Sequence, residues 1–122
     1  MSLIKLEIKT SGQKYPIYIG KNTLNRIQKL LKENLINYNQ CLVVADKNVP
    51  KKLIKKTLSF LPKKKTLLYY FNTSEKNKNL KNVNKILSLL LNKNFNRNDC
   101  LISIGGGITG DISGFAASMF KR

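Results

Sequence analysis

The sequence predicts an α/β fold, a doubly wound parallel sheet with helices on both faces and a β-hairpin before it. Three apolar runs support this prediction: residues 41–45, 65–71 and 100–104 each have the length and composition of a buried strand. A segment of helical period follows each run, and this alternation is typical of parallel sheets. With 122 residues, of which 42% are hydrophobic, the chain is long enough for one domain with a modest core.

The first predicted unit is the hairpin. Residues 3–9 alternate between apolar and polar side chains, which indicates a half-buried strand. Gly12 marks a turn, and residues 15–19 form the second strand, where Pro16 suits an edge position. Asn22 or Thr23 then caps a first helix. The apolar positions of that helix are Leu24, Ile27, Leu30 and Leu31.

Two polar residues follow the strand at residues 41–45. Asp46 and Asn48 come before Pro50, which can start the next helix. In open α/β sheets, ligands bind at the carboxyl ends of the strands, so both side chains are candidates for ligand contacts. Turn formation is the alternative, because Asp and Asn form turns without any ligand. The predicted helix has its apolar face at Leu53, Ile54, Thr57 and Leu58.

The loop at residues 72–78 follows the next strand and contains Glu75 and Lys78, three positions apart. One interpretation is a solvated pair at the start of a helix. The other is a carboxylate that accepts ribose hydroxyls and a lysine close to a cofactor. The helix after this loop carries Leu80, Val83, Ile86, Leu87, Leu90 and Leu91 on its apolar positions.

A glycine turn at residues 105–107 connects the last strand to a helix-like pattern. With Gly110 it satisfies the G-x-G-x-x-G spacing of dinucleotide-binding turns, in which free N–H groups of the helix favour an anion. A glycine-rich connection without a ligand is the alternative. Asp111 is either a helix cap or an acceptor of hydrogen bonds from hydroxyl or amide groups, since a carboxylate beside a phosphate is unfavourable.

The glycine turn is part of a longer string that resembles the signature of the 3-dehydroquinate synthase family. The string comprises residues 105–112, residues 114–117 and the pair Lys121 and Arg122. The resemblance implies a Rossmann-like N-terminal domain that binds NAD, within the sugar-phosphate cyclase superfamily. It implies cofactor contacts from Asp46, Asn48, Glu75, Lys78, Gly105, Gly106, Gly107, Ile108 and Asp111.

Arg122 matches a substrate-binding arginine of the family, and its alternative role is that of a cation at a helix end. The loop at residues 72–78 departs from the family pattern, with Ser74 in place of Gly and Asn72 in place of Pro. We therefore expect this loop to be less rigid than its counterpart in the family. The order of the sites also differs from a general dinucleotide fold, since Asp46 and Glu75 precede the glycine turn.

The activity that the resemblance implies is conversion of 3-deoxy-D-arabino-heptulosonate 7-phosphate to 3-dehydroquinate with loss of phosphate, the second step of the shikimate pathway. Zinc or cobalt would be held by residues of a helical C-terminal domain that this chain lacks. We therefore expect residues 1–122 to be an incomplete N-terminal domain without catalytic or metal-binding residues, inactive alone. The parent enzyme is expected to be a cytoplasmic homodimer acting on a small sugar phosphate.

Other functions remain open at this stage. Another sugar-phosphate cyclase or a glycerol-dehydrogenase-like polyol dehydrogenase would use the same kind of domain. A basic nucleic-acid-binding module is an alternative of another class, because the net charge is +17. The 20 lysines are spread through all segments, however, and 15 asparagines accompany them, which favours compositional drift in an AT-rich genome over a selected basic surface.

Composition also excludes histidine-dependent sites and indicates the role of the two cysteines. The chain has no histidine, so histidine-based acid–base chemistry and histidine metal ligands are absent from it. Cys41 and Cys100 each begin an apolar run and are interpreted as core thiols of a reducing compartment. No apolar run reaches the length of a membrane span, and the first ten residues do not resemble a signal peptide.

Overall fold

The computed structural model describes residues 3–120, except for the side chain of Glu75. The strands are β1 (Ile4–Lys9), β2 (Lys14–Ile19), β3 (Gln40–Asp46), β4 (Lys65–Phe71) and β5 (Cys100–Ile104), and the helices are α1 (Ile27–Glu33), α2 (Lys51–Phe60), α3 (Leu80–Asn92) and α4 (Gly107–Met119). Short 3-10 turns at Thr23–Arg26 and Glu75–Asn77 precede α1 and α3. Arg122, the predicted substrate contact, lies outside the described residues.

The three apolar runs form one parallel sheet in the order β4-β3-β5, which confirms the predicted fold class. The central strand β3 pairs with β4 from Gln40 opposite Lys65 onward, and with β5 from Cys41 opposite Cys100 onward. β3 is covered on both faces and along both edges, which explains why its residues are apolar without interruption. Its five residues at positions 41–45 are fully buried.

Helices cover both faces of the sheet, as a doubly wound fold requires. On one face, Leu42 and Val44 of β3 pack with side chains of α3 and α4, including Ile86 and Ala116. On the other face, Cys41 and Val43 pack with Tyr38 and with residues of α1 and α2. The alternation of side chains along β3 thus divides the apolar core into two clusters.

The predicted hairpin is present but forms a sheet of its own. Ile4 pairs with Ile19 and Leu6 with Ile17, so that these side chains share one face. That face is open to solvent, and Ile4 is 55% exposed. The other face lies against α1, where the Asn34 side chain donates a hydrogen bond to the Tyr18 hydroxyl at 2.9 Å.

The start of the first helix differs from the sequence prediction. Asn22 adopts a left-handed conformation with φ 55° and makes no capping hydrogen bond with its side chain, and the regular helix α1 begins only at Ile27. The Thr23 hydroxyl donates instead to the Gly20 carbonyl at 2.7 Å. The predicted apolar faces are also too wide, since some of their members are exposed to solvent. These members are Leu53, Leu80 and Leu91.

Candidate functional site

The loops with the predicted site residues open at one edge of the parallel sheet. Asp46, the last residue of β3, pairs with Phe71 at the end of β4, and Ala45 pairs with Ile104 at the end of β5. The Lys47 N–H donates to the Phe71 carbonyl at 3.0 Å and so links the first two loops. The sheet therefore gathers the three loops at its carboxyl edge, the usual location of ligands in open α/β sheets.

Gly105 begins the turn after β5 in a conformation that side chains rarely adopt, with φ +152°. A Cβ atom there would lie 2.9 Å from the Asp46 Cβ and 3.0 Å from the Thr109 Oγ1. Both the backbone angle and the lack of space therefore require glycine at this position. The contact also places the end of β3 directly against the glycine turn.

Gly106 and Gly107 have the opposite environment. Gly106 is the N-cap of α4 and Gly107 is its first residue, and a Cβ added to either would meet nothing within 4 Å. The first turn of a helix has N–H groups without intrahelical acceptors and carries the positive end of the helix dipole. An anion can thus approach this helix start closely, as a dinucleotide pyrophosphate requires.

Ile108 follows within the first turn of α4. Its side chain packs against the core cluster on the α3 and α4 face. The side chain therefore anchors the helix start in the core.

Asp46 and Asn48 form the predicted turn at the end of β3. The Asp46 Oδ1 accepts a hydrogen bond from the Asn48 N–H at 2.9 Å, and this bond closes the turn. Asp46 is half-buried and Asn48 is exposed. The hydrogen bond holds the carboxylate at the sheet edge, beside Gly105.

The loop after β4 is fixed by its own asparagines. The Asn77 side chain donates to the Asn72 carbonyl at 2.7 Å, and Asn79 caps α3 by accepting a hydrogen bond from the Asn82 N–H at 3.1 Å. Glu75 begins the 3-10 turn within this loop. The cap of α3 is therefore Asn79, one residue after Lys78.

The side chain of Lys78 reaches α4. Its Nζ is 2.9 Å from the Asp111 Oδ2, and both side chains are well exposed. Asp111 is the fifth residue of α4, whose N-cap is Gly106, and this excludes the helix-cap interpretation of Asp111. A groove of about 270 Å³ lies beside this pair, with apolar walls from α3 and α4. The groove is lined by Lys78, Asn79, Leu80, Val83, Asp111, Ile112 and Phe115.

A contact that sequence spacing did not reveal joins the same two segments below the surface. Thr73 and Thr109 share a hydrogen bond of 2.9 Å between their hydroxyl oxygens, and Thr109 is fully buried. Thr73 belongs to the loop after β4 and Thr109 to the first turn of α4, 36 positions later. Thr109 directly follows Ile108 and Thr73 is two positions before Glu75, but nothing in their spacing indicated that they meet.

Ionisable groups elsewhere cluster at the amino ends of β3 and β5. Burial raises the pKa of Tyr38 to about 12, with further contributions from Cys41 and Cys100. The Cys41 thiol donates a hydrogen bond to Cys100, which raises the pKa of Cys41 and lowers that of Cys100. A groove of about 360 Å³ also lies at this end, and its lining includes Asp99 and Cys100. It is at the opposite edge of the sheet from the glycine turn, and among residues 3–120 none of the predicted site residues lines it.

The described part of the chain has neither a metal-binding cluster of side chains nor a membrane-spanning helix. Among residues 3–120, no three His, Cys, Asp or Glu side chains come together in a group that could hold a metal ion. No helix in this range is long and apolar enough to cross a membrane.

Comparison with known proteins identifies relatives over the full chain. A family model of the 3-dehydroquinate synthase N-terminal region matches residues 68–122. The chain is 66% identical over 122 residues to the 3-dehydroquinate synthase of Pelagibacter ubique (strain HTCC1062), covering all of this chain and 33% of the relative. It is 35% identical over 122 residues to the 3-dehydroquinate synthase of Vesicomyosocius okutanii subsp. Calyptogena okutanii (strain HA), with the same coverage.

A solved structure matches the fold. The crystal structure of 2-deoxy-scyllo-inosose synthase complexed with carbaglucose-6-phosphate, NAD⁺ and Co²⁺ superimposes with a TM-score of 0.85 at 21% identity. The match covers 98% of this chain and 32% of that one. The chain thus spans about a third of the length of the relatives it matches. The predicted resemblance to the 3-dehydroquinate synthase family is confirmed.

Proposed function

Because all of this chain aligns with a third of a 3-dehydroquinate synthase and residues 68–122 match the N-terminal family model, we propose that it binds NAD at the carboxyl edge of its parallel sheet. One observation carries the proposal more than any other: open space lies above Gly106 at the start of a 13-residue helix. The pyrophosphate would lie there, held by backbone N–H groups and by the helix dipole. The space supports this placement, because a Cβ added to Gly106 or Gly107 would meet nothing within 4 Å.

The other predicted contacts are proposed from their positions around this turn. Asp46 and Asn48 would accept or donate hydrogen bonds to ribose hydroxyls, beside Gly105. Glu75, Lys78 and Asp111 would hold the opposite side of the dinucleotide, where the lysine balances the phosphate charge. Gly107 and Ile108 would contribute backbone N–H groups only. NAD, when bound, supplies reversible acceptance of a hydride.

The activity of the whole enzyme is proposed to be that of 3-dehydroquinate synthase. The substrate would be the sugar phosphate 3-deoxy-D-arabino-heptulosonate 7-phosphate, which loses phosphate and becomes 3-dehydroquinate in the shikimate pathway. Zinc or cobalt would be bound by residues that the relatives carry beyond the region matched here. We also propose a cytoplasmic homodimer. Residues 1–122 would then be the amino-terminal, cofactor-binding part of that enzyme.

The cofactor proposal is tested by titrating the purified 122-residue chain with NAD in a calorimeter. We expect saturable binding to one site, and strong loss of that binding in Gly106→Val. The valine side chain would project into the open space and displace the pyrophosphate without disturbing the fold. Lys47→Ala is the control, because Lys47 is an exposed neighbour of Asp46 without an assigned contact. A folded wild-type chain that binds no NAD, or a Gly106→Val variant that binds as well as wild type, would contradict the proposal.

The activity proposal needs the rest of the enzyme. A chimera of this chain followed by the remaining two thirds of the P. ubique synthase should release phosphate from the substrate in the presence of NAD and zinc. It should also restore growth, without aromatic amino acids, to a bacterial strain that lacks the enzyme. A soluble, folded chimera that releases no phosphate would refute the assignment of the activity.

Arg122 is proposed to contact the substrate, because a planar guanidinium binds phosphate or carboxylate through two hydrogen bonds. In the chimera, Arg122→Lys should raise KM for the sugar phosphate strongly and leave the affinity for NAD nearly unchanged. Arg97→Lys is the matched control, since Arg97 lies near the amino ends of the strands. Equal kinetic effects of the two substitutions would mean that Arg122 has no special role.

A further inference from the structure

The hydroxyl pair of Thr73 and Thr109 lies beneath the candidate cofactor site and outside the set of predicted ligand contacts. The two oxygens are 2.9 Å apart, and Thr109 is 0% exposed. A buried hydroxyl without a partner is unfavourable, so this pairing is fixed once the core has formed. The two side chains satisfy each other, because either can donate.

The pair connects the elements that carry the proposed contacts. Thr73 precedes the 3-10 turn at Glu75–Asn77, and Thr109 lies two residues after the N-terminal glycine of α4. The Thr109 Oγ1 also lies 3.0 Å from where a Gly105 Cβ would be, and that same point is 2.9 Å from the Asp46 Cβ. The ends of all three parallel strands therefore meet around one buried side chain.

We infer that Thr109 is a positioning residue. Through its hydrogen bond with Thr73 it holds the loop after β4 against the glycine turn. Both halves of a dinucleotide can then be bound at the same time. The inference rests on the proposed NAD site. The exposed Lys78 and Asp111 pair joins the same segments but is accessible to water, and such pairs constrain geometry weakly. The partly buried hydroxyl pair, in which Thr109 is fully buried, is the contact that fixes their separation before the cofactor arrives. Preorganisation of this kind increases affinity, because less ordering remains to be done on binding.

Isosteric substitutions test this inference in the 122-residue chain. Thr109→Val keeps the shape and removes the hydroxyl, and we expect the Kd for NAD to rise about three- to tenfold. Thr109→Ser restores a hydroxyl and should recover most of the affinity. Thr73→Val should resemble Thr109→Val, and the double variant should be no weaker than either single variant, because the lost interaction is shared.

Thr57→Val is the matched control. Thr57 is also a buried threonine, 3% exposed, and its hydroxyl donates to the Leu53 carbonyl at 2.9 Å within α2. This variant should lower the melting temperature to a similar extent as Thr109→Val and leave the Kd for NAD unchanged. A purely structural role of Thr109 would give the two variants the same behaviour.

The outcomes separate the inference from the proposal beneath it. If the wild-type chain binds NAD and Thr109→Val binds equally well, the positioning role is wrong and the cofactor site stands. If the Thr73 and Thr109 effects on the Kd add in the double variant, the hydroxyl pair is not the link. If the folded wild-type chain binds no NAD, both the inference and the cofactor site are overturned. Should Thr109→Val not fold, the Thr73→Val and Thr109→Ser variants decide by the same comparison.

Discussion

Lys78 and Asp111 form an ion pair, with 2.9 Å between Nζ and Oδ2, which joins the loop after β4 to the second turn of α4. The lysine side chain is 44% exposed and the aspartate side chain 60%. A pair this accessible to water contributes about 0–1 kcal/mol to folding. Its position beside the glycine turn therefore has more consequence for a bound anion than for stability.

Substitution of Lys78 should separate these two effects. We expect Lys78→Gln to change the free energy of unfolding by less than about 0.5 kcal/mol. The Kd for NAD should rise several-fold, because a positive charge near the phosphates is lost, and the difference from wild type should shrink as sodium chloride is added. Lys14→Gln is the control, since Lys14 pairs with Glu7 at 3.5 Å in the hairpin. The same Kd for both variants would mean that the lysine does not face the cofactor.

Two glycines near the site should respond to alanine in opposite directions. Gly105→Ala places a methyl group against Asp46 on a backbone with φ +152°, which side chains rarely allow. We expect the free energy of unfolding to fall by about 2 kcal/mol or more. Gly114 lies within α4, and a Cβ added there would meet nothing within 4 Å. Gly114→Ala should therefore raise the free energy of unfolding by about 0.5–1 kcal/mol. Urea denaturation of both variants measures the difference. A stable Gly105→Ala variant would show that the turn can relax away from β3.

The two thiols should differ in reactivity. Cys41 is fully buried and its pKa is raised, whereas Cys100 is half-buried and its pKa is lowered by the hydrogen bond from Cys41. Because the thiolate is the reactive form, iodoacetamide should alkylate Cys100 first in the folded chain. In Cys41→Ala the hydrogen bond is lost, and the pH at which Cys100 becomes reactive should move upward. Equal labelling of both cysteines, read by mass spectrometry of peptides, would contradict the assignment. Denatured protein, in which both thiols are exposed, provides the reference.

Asp99 should make stability depend on pH in the acid range. Partial burial opposes its ionisation, but hydrogen bonds from the Asn96, Gln40 and Asn39 backbone and the Gln40 side chain outweigh this and lower the pKa of Asp99. A group whose pKa is lower in the folded state stabilises above its unfolded value, near 3.9, and this contribution is lost as the pH falls through the folded value.

Asp99→Asn should therefore lower the free energy of unfolding by about 1 kcal/mol at pH 7, and wild type and variant should converge as the pH falls through the lowered pKa of Asp99. Thermal melts across pH 2–7 measure this. Glu33→Gln, which removes an exposed carboxylate at the end of α1, is the control. A constant difference between Asp99→Asn and wild type over the whole pH range would exclude a role for the charge.

The sequence predicted the fold well because its main signals are local. The run at residues 41–45 has the apolar composition of a fully buried strand, and it is the centre of the sheet. The glycine turn was equally readable, since three successive glycines between a strand and a helix are typical of a tight turn with an open backbone. Helix starts were harder to predict, because Asn22 takes a left-handed conformation and the 3-10 turn at Thr23–Arg26 delays α1.

The arrangement of the site was only partly predictable. Asp46, Asn48 and Gly105 could be placed at one sheet edge by the rule for parallel strands. The Thr73 and Thr109 pair could not, since it joins residues 36 positions apart whose meeting depends on how α4 packs on the sheet. Asp111 was assigned a cap or hydroxyl acceptor role, and its ion pair with Lys78 likewise depends on tertiary packing. Spacing along the chain reports local periodicity and carries no information on such pairs.

The position of β3 at the centre of the sheet has a consequence for synthesis on the ribosome. Its first neighbour β4 follows soon after, but Gln40 at the start of β3 and Asp99 beside β5 are separated by 59 positions. At about 5–20 residues per second, one edge of β3 lacks its partner for about 3–12 seconds after the strand emerges. An apolar strand with an open edge is a template for pairing with other nascent chains. The growing polypeptide is therefore most exposed to aggregation, and most in need of a chaperone, in the interval before β5 leaves the exit tunnel.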